Sequence, residues 1–259
     1  MLIVLSPSKA LNFAPVAENT PMTTPELKDD IAELARTTRK LRALDLKRMM
    51  DISDKLATLN RDRFQAFDPA CEDGLQAAMA FNGDVYMGLQ ARTLDRKALS
   101  WAQAHIRILS GLYGVLRPLD AIQPYRLEMG VRLKTKRGAN LYDFWGARIA
   151  ERLNELGEGD PEPVLVNLSS QEYFGAVDLE ALKLPLVTCR FLEEKDGEAR
   201  TISFFAKKAR GLMARFAAET RPKSVQALKK FNLADYSFRP EASDETDWVF
   251  ARPQPPLKS

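Results

Sequence analysis

The chain has 259 residues, of which 45% are hydrophobic and 28% are charged, and its formal net charge is +3. Such a chain can bury a sizeable core, and its small net charge gives no long-range attraction of the whole protein to a charged partner. It contains two cysteines and one histidine, which excludes a disulfide framework and any metal site that needs two imidazoles.

Targeting and membrane segments are not evident in the sequence. No window approaches the roughly 18 consecutive apolar residues of a membrane span, and the first residues, MLIVLSPSKA, lack a basic leader and a cleavage site. Cys71 and Cys189 lie far apart, which is typical of a reducing compartment. We therefore expect a soluble cytoplasmic protein, monomeric, with no cofactor and no bound metal; whether either cysteine is redox active is left open.

The first predicted element is a short buried strand over Leu2–Leu5, ended by Ser6 and Pro7. Ser6 and Lys9 then stand at the Ser-x-x-Lys spacing of some acyl-transfer enzymes. The partner motifs of those enzymes are not evident, and a cationic loop after a strand can bind phosphate instead. The sequence therefore favours Lys9 as a phosphate-binding residue.

Helices follow in the N-terminal half, where apolar residues recur at helical spacing. One is predicted to begin at Thr24 and Pro25, and another covers residues 94–106 with Asp95 as its cap. His105 lies in that second helix, one turn after Trp101. Its neighbours are apolar, so it is predicted to be a partly buried structural histidine.

A glycine-flanked segment, FNGDVYMGL, covers residues 81–89 and carries Asp84. Aspartates beside glycines commonly make local turn bonds. We expect Asp84 to orient an arginine such as Arg117 or Arg126, with a role as general base as the alternative.

The densest segment runs over residues 108–130, ILSGLYGVLRPLDAIQPYRLEMG. Gly111 and Gly114 predict a tight hairpin turn, and two prolines stiffen the chain beyond it. Its paired charges are Arg117 with Asp120 and Arg126 with Glu128. Loops with such groups are often functional, but arginine–carboxylate pairs also brace long loops, so both interpretations stay open.

A helix is predicted over residues 142–156, followed by a buried strand over residues 164–168. Ser169 or Ser170 then caps a short helix that holds Glu172, which is either a site residue or a capping carboxylate. Strands at 186–192 and 199–205 flank a Lys-Asp-Gly turn and predict a hairpin. A terminal hairpin is predicted from residues 236–239 and 247–251.

The helix predicted over residues 205–216 has an apolar stripe on one side and bases on the other. Its bases are Lys207, Lys208, Arg210 and Arg215, with no acid before Glu219. A solvated face is one interpretation, but exposed helices usually alternate charges, and four uncompensated bases suit phosphate groups.

The predicted fold class is α+β, because helices and strands interleave without strict βαβ alternation. We predict a single compact domain over residues 1–252, with a mixed β-sheet and surrounding helices, and a loose C-terminal tail over residues 253–259.

Seven motifs in order resemble the peroxide stress protein YaaA family. They are LSPSK (5–9), FNGDVYMGL (81–89), LSGLYGVLRPLD (109–120), PYRLEMG (124–130), LYDFW (141–145), NLSSQEYF (167–174) and FFAKKARGLMARF (204–216). Together they span more than 200 residues, which makes the resemblance very specific.

The resemblance implies a bacterial cytoplasmic protein that aids survival of hydrogen peroxide, limits free iron, and so protects DNA and proteins from Fenton damage. It also implies DNA binding through a positively charged cleft with a helix-hairpin-helix element. That element best fits Gly111 to Gly114, although two residues separate these glycines where the common pattern has one. Glycines in such a hairpin expose N–H groups to a phosphate.

Two functions therefore remain. The first, which we favour, is a non-enzymatic protein that binds double-stranded DNA without sequence specificity, with Tyr113 and Tyr125 able to stack on unpaired bases. The predicted phosphate contacts are Lys9, Gly111, Gly114, Arg117, Arg126, Lys207, Lys208, Arg210 and Arg215. The alternative is an enzyme on a nucleotide or other small phosphate compound, with acid–base work by Asp84, Glu128 or Glu172. Direct iron binding would need mainly carboxylate ligands, so any effect on iron is expected to be indirect.

Overall fold

The secondary structure is that of a computed structural model, which describes residues 1–16, 21–70 and 74–255. The strands are β1 (Leu2–Leu5), β2 (Leu75–Gln76), β3 (Ile106–Ser110), β4 (Gly114–Leu116), β5 (Ala121–Ile122), β6 (Leu165–Leu168), β7 (Leu186–Lys195), β8 (Glu198–Arg200), β9 (Ser237–Phe238) and β10 (Asp247–Pro253). The helices are α1 (Lys28–Thr38), α2 (Ala43–Met50), α3 (Asp54–Ala66), α4 (Ala77–Ala80), α5 (Asp84–Leu89), α6 (Arg96–His105), α7 (Leu141–Trp145), α8 (Arg148–Gly157), α9 (Gln171–Phe174) and α10 (Ser203–Thr220). Short 3-10 helices cover Ala91–Thr93, Val225–Lys230, Leu233–Asp235 and Pro240–Ala242.

The main sheet is mixed and mostly parallel, in the order β4-β3-β1-β6-β7-β10-β9, with β8 paired to β7. Its central strand, β1, is buried along its whole length and pairs in parallel with β3 and with β6. A short, fully apolar run is what a strand covered on both faces requires. The fold class predicted from the sequence is confirmed, since one mixed sheet is surrounded by helices in a single compact body.

The parallel pairing decides where the site can form. Because β1 and β6 run side by side in the same direction, the loops that leave their carboxyl ends lie together at one edge of the sheet. Ser6 follows β1 and Ser169 follows β6, so two of the family motifs meet there. Crevices at the carboxyl ends of parallel strands are the usual binding places of such sheets.

The segment Gly111 to Gly114 is a turn between β3 and the antiparallel β4, and the predicted helix-hairpin-helix is wrong at this place. The helix before it ends at His105, because the apolar residues that follow join the central sheet instead. Gly114 has φ = +70°, and a Cβ added there would lie 2.7 Å from the Trp145 ring. Both glycines are buried, so they serve turn geometry and packing.

Several sequence predictions in other segments are confirmed, and three need correction. The strands near 2–5 and 164–168, the 195–197 turn and the helix over 205–216 are all present. The strand predicted over 199–205 covers only Glu198–Arg200, because the residues from Ser203 onward belong to α10. The helix predicted over 142–156 is two helices, because Gly146 adopts φ = +47° between them. The helix predicted from Thr24 begins at Lys28. His105 has the structural role that the sequence predicts. Its Nδ1 lies 2.9 Å from Met1 O, and its ring stacks on that of Trp101.

The C-terminal strand β10 reaches Pro253, and the Gln254 N–H donates to Glu194 O at 2.9 Å. The remainder of the predicted tail, residues 256–259, lies outside the described residues. Among the described helices, none is long and apolar enough to cross a membrane.

Helices α5 and α10 cross at two glycines, Gly88 and Gly211. A Cβ on Gly88 would lie 2.7 Å from Leu212 N, and one on Gly211 would lie 2.8 Å from the Val85 carbonyl carbon. Real Cβ atoms do not approach backbone this closely, so only glycine allows this crossing. Since α5 begins at Asp84 and α10 carries Lys207 and Arg210, the crossing brings these charged side chains to one place.

Candidate functional site

A pocket of about 320 Å³ opens at the carboxyl edge of β1 and β6. It is built from four segments that are distant in sequence: the loop after β1, the start of α5, the start of α9 and one face of α10. Its lining residues are Ser6, Pro7, Ser8, Lys9, Ala10, Asn82, Gly83, Asp84, Val85, Tyr86, Ser170, Glu172, Tyr173, Lys207 and Arg210. Four of the seven sequence motifs therefore converge on one pocket.

Serine hydroxyls fix the loop after β1. The Ser6 Oγ accepts from the Ser170 N–H at 2.8 Å, and it lies 3.3 Å from the Ser170 Oγ. The Ser8 Oγ donates to Asn82 O at 3.0 Å and accepts from the Ala10 N–H at 3.2 Å. These bonds tie the loop to α9 and α5. Ser6 is thus engaged with Ser170 and does not bond Lys9, so the geometry does not resemble a serine–lysine acyl-transfer site.

Lys9 belongs to a charged cluster with Arg126 and Glu128. The Glu128 Oε1 accepts from Arg126 Nε at 3.0 Å and from Arg126 Nη2 at 2.8 Å, and Lys9 Nζ lies 3.2 Å from the same oxygen. The Glu128 side chain is only 9% exposed, whereas that of Lys9 is 63% exposed. The other carboxylate oxygen of Glu128, Oε2, is buried without a hydrogen-bond partner. Arg126 and Glu128 themselves do not line the pocket.

Asp84 stands at the first position of α5 and lines the pocket. The prediction that it orients an arginine is not met, because Arg117 pairs with Asp120 and Arg126 pairs with Glu128. Within the part of the chain that the structure describes, Asp84 makes no hydrogen bond or ion pair. Its carboxylate is therefore available to a molecule in the pocket.

Glu172 lies on the opposite wall, in α9. Its Oε1 accepts from the Gly130 N–H at 3.1 Å, and the Tyr142 hydroxyl donates to its backbone oxygen at 2.9 Å. The pKa of Tyr142 is raised, first by burial and then by the Glu172 charge. One Glu172 oxygen thus fastens the loop at Gly130 to α9, while the residue still lines the pocket.

Arg210 differs from the other arginines of the site. Its Nε is buried without a hydrogen-bond partner, and among the described residues it has no ion pair within 4.0 Å. Burial lowers its pKa, and the nearby Cys189 side chain offsets this effect only in part. Lys207, one turn earlier on α10, lines the same pocket and is exposed. A desolvated cation without a counter-ion is costly, and an anion in the pocket would offset that cost.

The remaining predicted phosphate contacts lie elsewhere. Lys208 is exposed on α10 beside the pocket. Arg117 pairs with Asp120 and Glu26, and Arg215 pairs with Glu219 while donating to Thr93. These two arginines, like the buried Gly111 and Gly114, do not line the pocket. The structure thus brings together Lys9, Lys207 and Arg210 with Asp84 and Glu172.

Tyr113 and Tyr125, predicted to stack on unpaired bases, are both buried and pack against each other with ring centroids 5.3 Å apart. They therefore present no face to a base. The tyrosines that do line the pocket are Tyr86 and Tyr173, which the sequence interpretation did not select. Tyr86 donates to Ser6 O at 3.1 Å. Tyr86 follows Gly83 at the start of α5, and Tyr173 lies in the short helix after the buried strand β6. These positions are the sequence signal that points to them.

Cys189 is buried on β7, and burial raises the pKa of its thiol to about 12. A thiol of that kind is a poor nucleophile at neutral pH. Cys71 lies outside the described residues. In the described part of the chain, no three His, Cys, Asp or Glu side chains are grouped so as to hold a metal ion.

Comparison with known proteins gives one consistent family. The family model of the peroxide stress protein YaaA matches residues 1–242. A UPF0246 protein of Caulobacter vibrioides is 67% identical over 255 residues, covering 98% of this chain and 100% of the relative. UPF0246 proteins of Phenylobacterium zucineum and Maricaulis maris are 65% and 56% identical, and the matches cover 99% and 98% of this chain and 96% and 97% of the relatives. The chain therefore belongs to the peroxide stress protein YaaA family, as the resemblance of its seven motifs predicted.

Proposed function

We propose that this protein helps a bacterial cell to survive hydrogen peroxide, acting in the cytoplasm by limiting free iron and by binding DNA without sequence specificity. Membership of the peroxide stress family supports the first part. The effect on iron is indirect in this proposal, since one histidine and two cysteines leave mainly carboxylates as ligands, and the described residues hold no group of three such side chains.

The observation that carries the DNA proposal is the group of exposed bases at the mouth of the pocket. Lys9 lines the pocket from the loop after β1 and Lys207 lines it from α10, while Lys208 is exposed on the same helix, next to Lys207 in sequence. Neither Lys207 nor Lys208 has an ion pair among the residues that the structure describes. A duplex is too wide to enter a pocket of about 320 Å³, so its phosphates would contact these lysines at the rim.

Replacing both rim lysines of α10, as Lys207→Ala/Lys208→Ala, is expected to flatten the salt dependence of DNA binding. Each phosphate contact contributes about −0.9 to the slope of log K against log salt, so the slope should fall by about two. The measurement is fluorescence anisotropy of a labelled duplex at several salt concentrations.

The charge-matched control is Arg96→Ala/Lys97→Ala, since both side chains are exposed at the start of α6 and have no ion pair in the described structure. Its slope should equal that of the wild type. Equal slopes in all three proteins would contradict the assignment of DNA binding to α10.

A second function is favoured by a separate observation, the presence of carboxylates and cationic side chains in one pocket. Asp84 and Glu172 line it together with Lys207 and Arg210. A cationic side chain can hold a phosphate while a carboxylate accepts a proton. This is the arrangement of an enzyme that acts on a nucleotide or other small phosphate compound. Asp84 is a better candidate for the general base than Glu172, because one Glu172 oxygen already accepts a hydrogen bond from the Gly130 N–H.

If the pocket is catalytic, Asp84→Ala is expected to lower kcat by about 100-fold or more, the usual contribution of a general base. Turnover of mononucleotides and sugar phosphates, followed by chromatography of the products, gives the measurement. Asp29→Ala, at an exposed position of α1, should keep full turnover. Absence of turnover across such a panel would reject the enzymatic function and leave the DNA proposal untouched.

A further inference from the structure

Arg210 is a partly buried cation for which the described part of the protein supplies no carboxylate partner. Arg117, Arg126 and Arg215 all have carboxylate partners within 3.3 Å. Arg210 lacks one in the described structure, although its Nε is fully covered. Partial desolvation makes a cation without a counter-ion costly, and an anion in the pocket that Arg210 lines would offset that cost.

The helix crossing fixes the backbone that carries Arg210. The neighbouring Ala209 and Gly211 are buried, and Gly211 packs against the backbone of α5. The Arg210 side chain itself is partly exposed and lines the pocket. Lys207 lies three residues earlier, on the same face of the helix. A guanidinium and an ammonium on one helical face can donate together to the oxygens of a tetrahedral anion.

The pocket is also lined by a carboxylate. Asp84 lines the cavity without a partner among the described residues, and it is more than 4.0 Å from Lys207 and Arg210, since no ion pair joins them. Charges of opposite sign thus line the same pocket without forming an ion pair. A molecule that satisfies both carries an anion and a hydrogen-bond donor. The volume of about 320 Å³ is at the lower end for ligand pockets.

We infer that Arg210 and Lys207 form a subsite for the phosphate of one small molecule of mononucleotide size, whose hydroxyl or amino group donates to Asp84. This inference rests on the second function proposed above, because both concern the same pocket. Lys207 is shared with the DNA contacts proposed above, whereas Arg210 belongs only to this subsite, so Arg210 variants test the subsite separately from DNA binding. Val85, Tyr86 and Tyr173 also line the pocket and supply apolar surface.

The test is titration calorimetry of the full chain with AMP, adenosine and inorganic phosphate. AMP should bind more tightly than either fragment, because only AMP carries both the anion and the donors. Arg210→Met should weaken AMP binding by about tenfold or more, the usual effect of losing a hydrogen bond to a charged group. Arg210→Lys keeps the charge but fewer donors, so an intermediate affinity is expected.

Arg63→Met is the matched control. Arg63 is also half-buried, burial lowers its pKa, and it has no ion pair in the described structure, but it does not line the pocket. It should bind AMP like the wild type. Absence of AMP binding at millimolar concentration, or equal affinity in Arg210→Met and wild type, would overturn the subsite. AMP binding without turnover would support the subsite and reject only the enzymatic function, and the DNA slopes decide the DNA proposal independently.

Discussion

Gly211→Ala is expected to destabilise the fold by about 3 kcal/mol, the upper end of the cost of overpacking a core. The added methyl group would collide with the Val85 carbonyl group and lie 2.9 Å from Leu89 N. Backbone on the other helix cannot rotate away as a side chain can, so α5 and α10 must separate. Urea unfolding followed by circular dichroism measures the change in the free energy of unfolding.

The matched control is Gly157→Ala at the end of α8, where the added Cβ would meet only the flexible side chain of Leu184. The gain in helix propensity, about 1 kcal/mol, should offset that crowding. The two variants make the same chemical change, and they differ in whether the obstacle is backbone. Equal unfolding midpoints for Gly211→Ala and wild type would show that the helices are not in contact at this glycine.

The same crossing links stability to the site. Asp84 and Tyr86 belong to α5, while Lys207 and Arg210 belong to α10, so the separation of the two helices sets the width of the pocket. Gly211→Ala should therefore also weaken AMP binding, although it removes no ligand contact. Gly88 faces Gly211 across the crossing, and a Gly88→Ala/Gly211→Ala variant should lose less stability than the sum of the single changes, because one separation relieves both collisions.

The sequence predicts the strands that build the sheet better than it predicts the hairpin between them. Leu2–Leu5 and the run at 164–168 are apolar throughout, which a strand buried on both faces requires. Gly111 and Gly114 require only a tight turn, and that turn suits a helical or a β connection equally. The connection is a β-hairpin because Ile106–Ser110 pairs with β1, a strand about 100 residues away in sequence.

Ion pairs show why only part of the candidate site could be found. Arg117 with Asp120 and Arg215 with Glu219 are three and four residues apart, so the sequence already held the information that these arginines have partners. Arg210 is different, because an unpaired, partly buried cation is recognised only when every neighbour in space is known. The convergence of Lys9, Asp84, Glu172 and Lys207 likewise depends on parallel pairing of β1 and β6 and on the glycine crossing.

Arg252→Met is expected to destabilise the protein by about 3–5 kcal/mol, because it leaves a buried carboxylate without its cation. Glu193 is fully buried on β7, with Arg252 Nε 3.5 Å from its Oε1. The Tyr236 hydroxyl donates to the same oxygen, and the Ile202 N–H donates to Oε2 at 3.2 Å. The Arg252 guanidinium also lies over the rings of Tyr236 and Phe205, at 4.4 and 4.8 Å. Chemical denaturation gives the measurement.

A double-mutant cycle separates the charge from the packing. If the loss comes from an uncompensated Glu193, then Glu193→Gln/Arg252→Met should be more stable than the two single changes predict together, by about 1 kcal/mol or more. Arg190→Met is the control on the same pair of strands, since Arg190 pairs with Asp247 at an exposed position. That surface pair should contribute less than about 1 kcal/mol. Strict additivity in the cycle would instead assign the effect to lost contacts with the two aromatic rings, because those contacts do not depend on the charge of Glu193.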